Sequence, residues 1–186
     1  IIDLLIKFLI LFFMYKITFI FSLLFLFLSP SYSETLPKCP GENRVITTWI
    51  NCNGSYTAID GHKYSGDFDG KGLYSGYGVL KNKDSVYEGE FFKDKYHGKG
   101  KQILTNTGSG TATYEGEFFM GNWNGQGKLW SEDGSFKYEG SFQNMEMTGY
   151  GTLTYNGESV TGNWKNASCS DKATCDAVEA IKQKYQ

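Results

Sequence analysis

Tyr87-Glu-Gly-Glu-Phe91, followed by Gly98-Lys-Gly100, is one copy of a two-phrase pattern that recurs along the sequence and determines its architecture. Copies of the first phrase, Tyr-x-Gly-x-Phe, begin at Tyr64, Tyr87, Tyr114 and Tyr138, and a divergent copy ends at Trp164. The first phrase restarts after 23, 27, 24 and 22 residues, and a Gly-x-Gly phrase stands between successive copies. Self-similarity at this period is typical of a repeat array.

Each repeat predicts a hairpin of two short strands. The first phrase alternates, so its Tyr, Gly and Phe share one face of a strand and its acidic residues share the other. The next Gly-x-Gly begins seven or eight positions after this Phe, and the residues between them are rich in polar and turn-forming types. We expect the paired glycines to leave one face bare, so that rings from the neighbouring strand lie across it. The predicted core is this ladder of rings: Tyr64, Phe68, Tyr87, Phe91, Tyr114, Phe118, Tyr138, Phe142 and Trp164.

The two-phrase repeat resembles that of the MORN (membrane occupation and recognition nexus) family, whose unit joins a Tyr-x-Gly-x-Trp/Phe strand to a Gly-x-Gly strand. The similarity covers residues 64 to 164, with Phe in place of the commoner Trp and an insertion around Thr105 to Thr113. The resemblance implies an all-β fold, an elongated antiparallel meander of stacked β-hairpins. It also implies a role in protein or membrane interaction and not in catalysis.

The sequence predicts four regions, of which residues 1–33 form a signal peptide region. From Met14 the chain has a basic start, a 12-residue apolar run and a small-x-small site ending at Ser33, as secretory signal peptides do. We expect translation to start at Met14, cleavage to follow Ser33 and the mature chain to be exported, periplasmic or extracellular. An uncleaved segment would anchor the chain in a membrane. The other regions are an N-terminal cap and half-repeat (34–61), the repeat array (62–166) and a C-terminal cap with a short helix (167–186).

Four cysteines flank the array, Cys39 and Cys52 before it and Cys169 and Cys175 after it. An even number of cysteines in an exported chain suggests disulfide bonds. Of the three possible pairings we prefer Cys39 with Cys52 and Cys169 with Cys175, because each pair is close in sequence and would fasten one end of the array. These spacings suit a zinc site poorly, so we predict no metal.

Both ends of the array need a cap, because a terminal strand has no neighbour on its outer edge. Before the array, Cys52-Asn-Gly54 is similar to a second phrase and predicts an opening half-unit. After the array, Val178, Ile181 and Tyr185 stand at helical spacing. They predict a short amphipathic helix from Asp176 to Tyr185 that closes the last strand.

Composition and motifs argue against nucleic acid and against catalysis. The formal net charge is −2, and removing residues 1–33 leaves 16 basic and 19 acidic side chains. This balance lacks the excess of basic residues that nucleic-acid binding requires. The two histidines, His62 and His97, fall in or beside predicted turns. No combination of nucleophile, acid and base is visible, so we predict no catalytic residue and no cofactor.

Four aromatic side chains fall off the Tyr-Gly-Phe face and form a candidate interaction surface: Tyr77, Phe92, Phe119 and Tyr150. They are either an uncovered apolar strip suited to a partner or core residues under the caps, and the sequence leaves both alternatives open. We expect a non-catalytic exported module that binds an unknown protein partner or self-associates as a scaffold. The alternatives are binding to membrane lipid headgroups, which the lack of a basic cluster disfavours, and binding to envelope glycans.

Overall fold

The structure is a computed structural model that describes residues 35–41, 49–105, 107–108 and 110–185. The chain separates into two units, Ile1–Thr35 and Leu36–Gln186, and every described strand and helix lies in the second. The predicted signal peptide at 1–33 lies outside the described residues. Within the described residues, no helix combines the length and apolar character needed to cross a membrane.

Eleven strands in the described part of the chain form one antiparallel sheet, and each strand pairs with its neighbours in sequence. The strands are β1 (Cys52–Thr57), β2 (Lys63–Phe68), β3 (Tyr74–Lys81), β4 (Ser85–Phe92), β5 (Lys95–Leu104), β6 (Ala112–Phe119), β7 (Asn122–Ser131), β8 (Phe136–Gln143), β9 (Glu146–Tyr155), β10 (Glu158–Lys165) and β11 (Ser168–Cys169). One helix follows, α1 (Lys172–Lys184). The predicted all-β antiparallel meander with a short C-terminal helix is confirmed.

A line of glycines, here called the glycine track, crosses the sheet with one residue from each strand from β1 to β10. In the strand register each glycine stands opposite the glycine of the next strand. The track consists of Gly54, Gly66, Gly78, Gly89, Gly100, Gly116, Gly127, Gly140, Gly151 and Gly162. Because a one-residue slip would move every side chain to the other face, this alignment fixes which face each residue occupies.

Tyrosine rings cover the glycine track on one face of the sheet, here called the ring face. A Cβ atom added to Gly127 would lie 2.6 Å from the ring and the hydroxyl oxygen of Tyr114. The Tyr114 hydroxyl also donates a hydrogen bond to the backbone carbonyl of Glu117, at 2.9 Å. Only glycine leaves enough room for such a close approach, and the same arrangement recurs at Gly78, Gly100 and Gly151.

The two glycines of the Gly-x-Gly phrase have different roles, so the expectation that both lie under rings is wrong for the first. Gly98 has a left-handed φ of +55° and lies where the pairing of β4 with β5 shifts by a bulge. A Cβ atom there would meet the carboxylate of Glu90 on the opposite face. The bulge turns the first glycine away from the rings, and its backbone conformation favours glycine.

Each ladder tyrosine contacts rings from its own hairpin and from the next one. Tyr87 stacks on Tyr96, with 3.8 Å between ring centroids. It meets Phe91 of its own strand edge-on at 5.1 Å and Phe118 of the next hairpin at 4.9 Å. Contacts between successive hairpins therefore hold the array together as a one-dimensional series.

The nine ring residues proposed from the sequence are at most 4 % exposed. Burial raises the pKa of the ladder phenols Tyr64, Tyr87, Tyr114 and Tyr138 above the ordinary value for tyrosine. The stacked partners of these rings, Tyr74, Tyr96 and Trp123, were not predicted from the sequence. Their signal was present, because each stands two residues before the first glycine of its phrase.

The N-terminal cap covers the start of the glycine track, where no preceding Tyr-x-Gly-x-Phe strand exists. Trp49 is 2 % exposed, meets Phe68 edge-on at 5.3 Å and donates from its indole Nε1 to the carbonyl of Pro40 at 2.7 Å. Cys39 and Cys52 form a disulfide bond. Trp49 and the Cys39 sulfur both lie over Gly54, so they fill the space that a tyrosine ring fills elsewhere.

At the C-terminal end of the glycine track, a threonine takes the place of the tyrosine ring. Val160 stands where earlier repeats have tyrosine, and the buried side chain of Thr174 lies over Gly162 instead. Asp171 caps α1 by accepting a hydrogen bond from the Thr174 backbone amide at 2.9 Å. The helix begins at Lys172 and not at Asp176 as predicted, because this cap starts it four residues earlier. Cys175, in its first turn, forms a disulfide bond with Cys169.

Candidate functional site

The face opposite the rings, here called the charged face, carries a groove of about 1090 Å³ that crosses the sheet from β3 to β9. This outer groove has the backbone of the glycine track as its floor, since glycines 89, 100, 116, 127, 140 and 151 all line it. Its other lining residues are Tyr77, Glu88, Lys99, Lys101, Glu115, Glu117, Gln126, Lys128, Glu139, Tyr150 and Thr152. The bare glycine floor thus separates two rows of side chains.

One wall of the outer groove alternates in charge because of the strand register. Glu88 stands opposite Lys101, Lys101 opposite Glu115, Glu115 opposite Lys128, and Lys128 opposite Glu139. The Lys128 ammonium lies 2.8 Å from a Glu139 carboxylate oxygen. This contact raises the pKa of Lys128 and lowers the pKa of Glu139. Such exposed pairs are screened by solvent, so they favour the strand register without defining a ligand.

Two acidic residues on the charged face stabilise the bulges, Glu117 in the other wall of the groove and Glu90 outside its lining. A carboxylate oxygen of Glu90 accepts a hydrogen bond from the Lys99 backbone amide at 2.9 Å, and one of Glu117 accepts from the Gln126 amide at the same distance. These amides follow the first glycine of each phrase. Among the described residues, no group of three or more His, Cys, Asp or Glu side chains is arranged to hold a metal ion.

Two of the four predicted surface aromatics lie in the outer groove, towards its opposite ends. Tyr77 is 58 % exposed and Tyr150 is 67 % exposed. They stand six strands apart, which is roughly 29 Å at about 4.8 Å per strand. The Tyr77 hydroxyl donates to a Glu88 carboxylate oxygen at 2.9 Å, and this hydrogen bond raises the pKa of Tyr77. The tyrosines add apolar surface to an otherwise polar groove.

The other two predicted aromatics lie outside the groove, at the ends of strands β4 and β6. Phe92 is 45 % exposed and Phe119 is 58 % exposed. Their ring centroids lie 5.4 and 5.5 Å from the ring of His97, which is the third residue of strand β5 and lies beside the β4–β5 turn. The His97 Nδ1 atom is buried and has no hydrogen-bond partner within the described part of the chain. We call Phe92, His97 and Phe119 the aromatic rim.

All four predicted aromatics therefore lie on the charged face, but the structure divides them into two sites. Of the residues that line the groove, only Tyr77 and Tyr150 were predicted as a surface from the sequence; its glycine floor and its charged and polar walls were not. Gln126 was detectable, because it occupies the place that Lys99 holds in the preceding repeat. The groove itself was not, because it forms only where side chains from strands β3 to β9 line up on both sides of the glycine track.

Comparison with known families gives a match to the model of the MORN repeat. The matched segments are residues 87–109, 114–136 and 138–159, and they fall on the hairpins β4–β5, β6–β7 and β8–β9. The chain has no significant match among curated proteins. MORN repeats commonly act as modules for protein or membrane interaction. From the matched hairpins, the glycine track and the ladder of rings, we conclude that the chain is a MORN repeat protein.

Proposed function

We propose that this protein is an exported, non-catalytic interaction module that binds a protein partner on its charged face. The observation that carries the proposal is the contrast between the two faces of the sheet. Rings on the ring face bury one another, whereas the charged face leaves Tyr77, Phe92, Phe119 and Tyr150 between 45 and 67 % exposed. Exposed aromatic anchors among charged residues are typical of surfaces that bind other proteins.

The two disulfide bonds support the export part of the proposal. Cys39–Cys52 and Cys169–Cys175 take up all four cysteines of the sequence, and such bonds persist in oxidising compartments outside the cytosol. We propose the regions 34–61, 62–166 and 167–186 as cap, array and cap of a mature chain that follows a signal peptide region at 1–33.

The charge pattern favours a protein partner over an anionic membrane. Membrane-surface binding uses clusters of basic residues, whereas the groove wall from Glu88 to Glu139 alternates in sign. When the row of a second copy lies antiparallel to the first and is displaced by one strand, each Glu of one row faces a Lys of the other. A second copy of this chain is therefore among the protein partners that the groove fits.

The decisive experiment is affinity capture with matched variants of the full chain. Wild type, Tyr77→Ala/Tyr150→Ala, Phe92→Ser/Phe119→Ser and the control Ile59→Ser are compared as baits on envelope extract of the source cell. Ile59 is fully exposed in the β1–β2 connection and is not among the residues that line the groove. We expect one protein to be retained by wild type and by the control and to be lost from at least one aromatic double variant. Equal retention by all four baits would refute the proposal.

Three further measurements separate the other ligand classes. Light scattering over a concentration series detects self-association, which we expect to weaken at high salt because the groove charges are exposed. Flotation with anionic vesicles and sedimentation with purified cell-wall polymer detect lipid and glycan binding. Binding to vesicles or polymer that depends on the four aromatic residues, without a protein partner, would assign this surface to lipid or glycan instead.

A further inference from the structure

A second cavity lies on the other face of the molecule, between helix α1 and the end of the sheet. Its volume is about 290 Å³, and it is lined by Phe136, Leu153, Tyr155, Val178, Ile181 and Lys182. Phe136 and Leu153 come from strands β8 and β9, and Val178 and Ile181 come from the apolar side of the helix. We call it the helix pocket.

The helix pocket is suited to an apolar group of limited size. Lys182 is its only charged lining residue, and the remaining lining consists of aliphatic and aromatic side chains. A cavity of about 150 Å³ lined by apolar side chains holds benzene, and pockets for drug-sized ligands begin at about 300 Å³. The helix pocket therefore fits one alkyl chain better than a folded peptide or a polycyclic ligand.

Lys182 gives the pocket a positive charge that the described residues do not neutralise. Two other lysines of α1 have partners: Lys172 pairs with Asp176 and Lys184 pairs with Glu158, the latter at 2.7 Å. Within the described part of the chain, Lys182 forms no ion pair and no side-chain hydrogen bond. Because the Lys182 side chain is exposed and has no partner among these residues, its ammonium is available to an anionic head group at the mouth of the pocket.

We propose that the helix pocket binds a free monoacyl carboxylate, that is, a medium-chain fatty acid. The alkyl chain lies between Leu153 and Ile181, and the carboxylate contacts the Lys182 ammonium. Binding needs no covalent step and does not involve the charged face. The proposal therefore does not depend on the partner-binding function, and either one can be wrong while the other holds.

The test is calorimetric titration of the full chain with hexanoate, octanoate and decanoate, each below its micellar concentration. We expect saturable binding whose affinity rises about fourfold per added CH₂ group until the pocket is full. Lys182→Gln removes the cation and leaves the apolar walls in place. We expect it to weaken decanoate binding about five- to tenfold and to leave octan-1-ol binding unchanged. The matched control, Lys172→Gln on the same helix, keeps wild-type affinity.

Filling the pocket gives an independent readout. Leu153→Trp and Val178→Trp each place a large ring in the cavity, one from the sheet and one from the helix, and circular dichroism selects the variant that keeps the wild-type fold. We expect that variant to lose decanoate binding. The proposal is overturned if wild type shows no saturable binding, or if neither the filling variant nor Lys182→Gln changes it. Binding only to anionic diacyl vesicles would also overturn it.

Discussion

The substitution Gly127→Ala tests the close contact between the ladder and the glycine track. The added methyl group would lie 2.6 Å from Cε2 and from the hydroxyl oxygen of Tyr114 and 2.7 Å from Cζ, which is well inside van der Waals contact. The ring cannot move away freely, because Trp123 stacks on it at 4.4 Å and Phe118 and Phe142 meet its edges at 5.1 and 4.9 Å. The methyl group must therefore displace the ring or separate the strands.

The cost of Gly127→Ala follows from the contacts that it disturbs. Inserting a methyl group into a filled core costs about 1–3 kcal/mol, and each of the three ring pairs is worth about 0.5–1.5 kcal/mol beyond its buried area. The hydrogen bond from Tyr114 to the Glu117 carbonyl adds about 1 kcal/mol. The gain from replacing glycine inside a strand, about 0.5–1 kcal/mol, offsets part of this. We expect a net loss of about 3 kcal/mol, which corresponds to roughly 6–12 °C in Tm.

Urea and thermal unfolding followed by circular dichroism and tryptophan fluorescence measure this loss. Gly70→Ala is the matched control, because its added methyl group would lie 3.4 Å from the nearest atom, an oxygen of Asn51. We expect Gly70→Ala to stay within about 0.5 kcal/mol of wild type. If Gly127→Ala also stays within that range, the tyrosine ring does not rest on the glycine track.

Three further predictions concern the bulge, the buried phenols and the helix cap. Gly98→Ala should lower the free energy of unfolding in urea by about 1–2 kcal/mol, because a non-glycine residue is strained at the left-handed φ of this position. A loss of stability as large as that of Gly127→Ala would argue against separate roles for the two glycines. Burial raises the pKa of the Tyr87 phenol in the folded protein. The stability that this phenol contributes is therefore fully present below about pH 10, and it declines at higher pH, where the phenol ionises in the unfolded chain. The free energy of unfolding should fall by up to about 1.4 kcal/mol per pH unit for each such phenol. For Tyr87→Phe the free energy of unfolding should fall less steeply with pH than for wild type, and equal slopes would contradict this. Asp171→Ala should lower stability and speed amide exchange at Thr174 through loss of the α1 cap. Unchanged exchange there would show that the cap contributes little.

The sheet was predictable from sequence because its determinants are local and repeated. The alternation in Tyr87 to Phe91 places each side chain on a face, and the recurrence of the phrase gives the number and order of the hairpins. The pairing of each cysteine with its neighbour in sequence could also be favoured, because a short loop closes at low entropic cost.

What the sequence did not reveal depends on contacts between distant parts of the chain. The sequence favours Trp49 as part of the N-terminal cap, but neither residue type nor spacing indicates that Trp49 and Thr174 replace a tyrosine ring over Gly54 and Gly162. The two glycines of each phrase are identical in sequence, and only the register with the preceding strand separates the bulge glycine from the track glycine. The same holds for the surface aromatics, because strand position puts Tyr77 in the groove and Phe92 at the rim.

The most direct test of the account is a pair of double-mutant cycles that measure coupling between hairpins. The first combines Tyr87→Leu with Phe118→Leu, whose rings lie 4.9 Å apart in neighbouring hairpins. The second combines Tyr87→Leu with Phe142→Leu, one hairpin further on. We predict a coupling free energy of about 0.5–1.5 kcal/mol in the first cycle and less than about 0.5 kcal/mol in the second. Equal coupling in both cycles, or none in the first, would contradict a ladder in which each hairpin is held by the rings of the next.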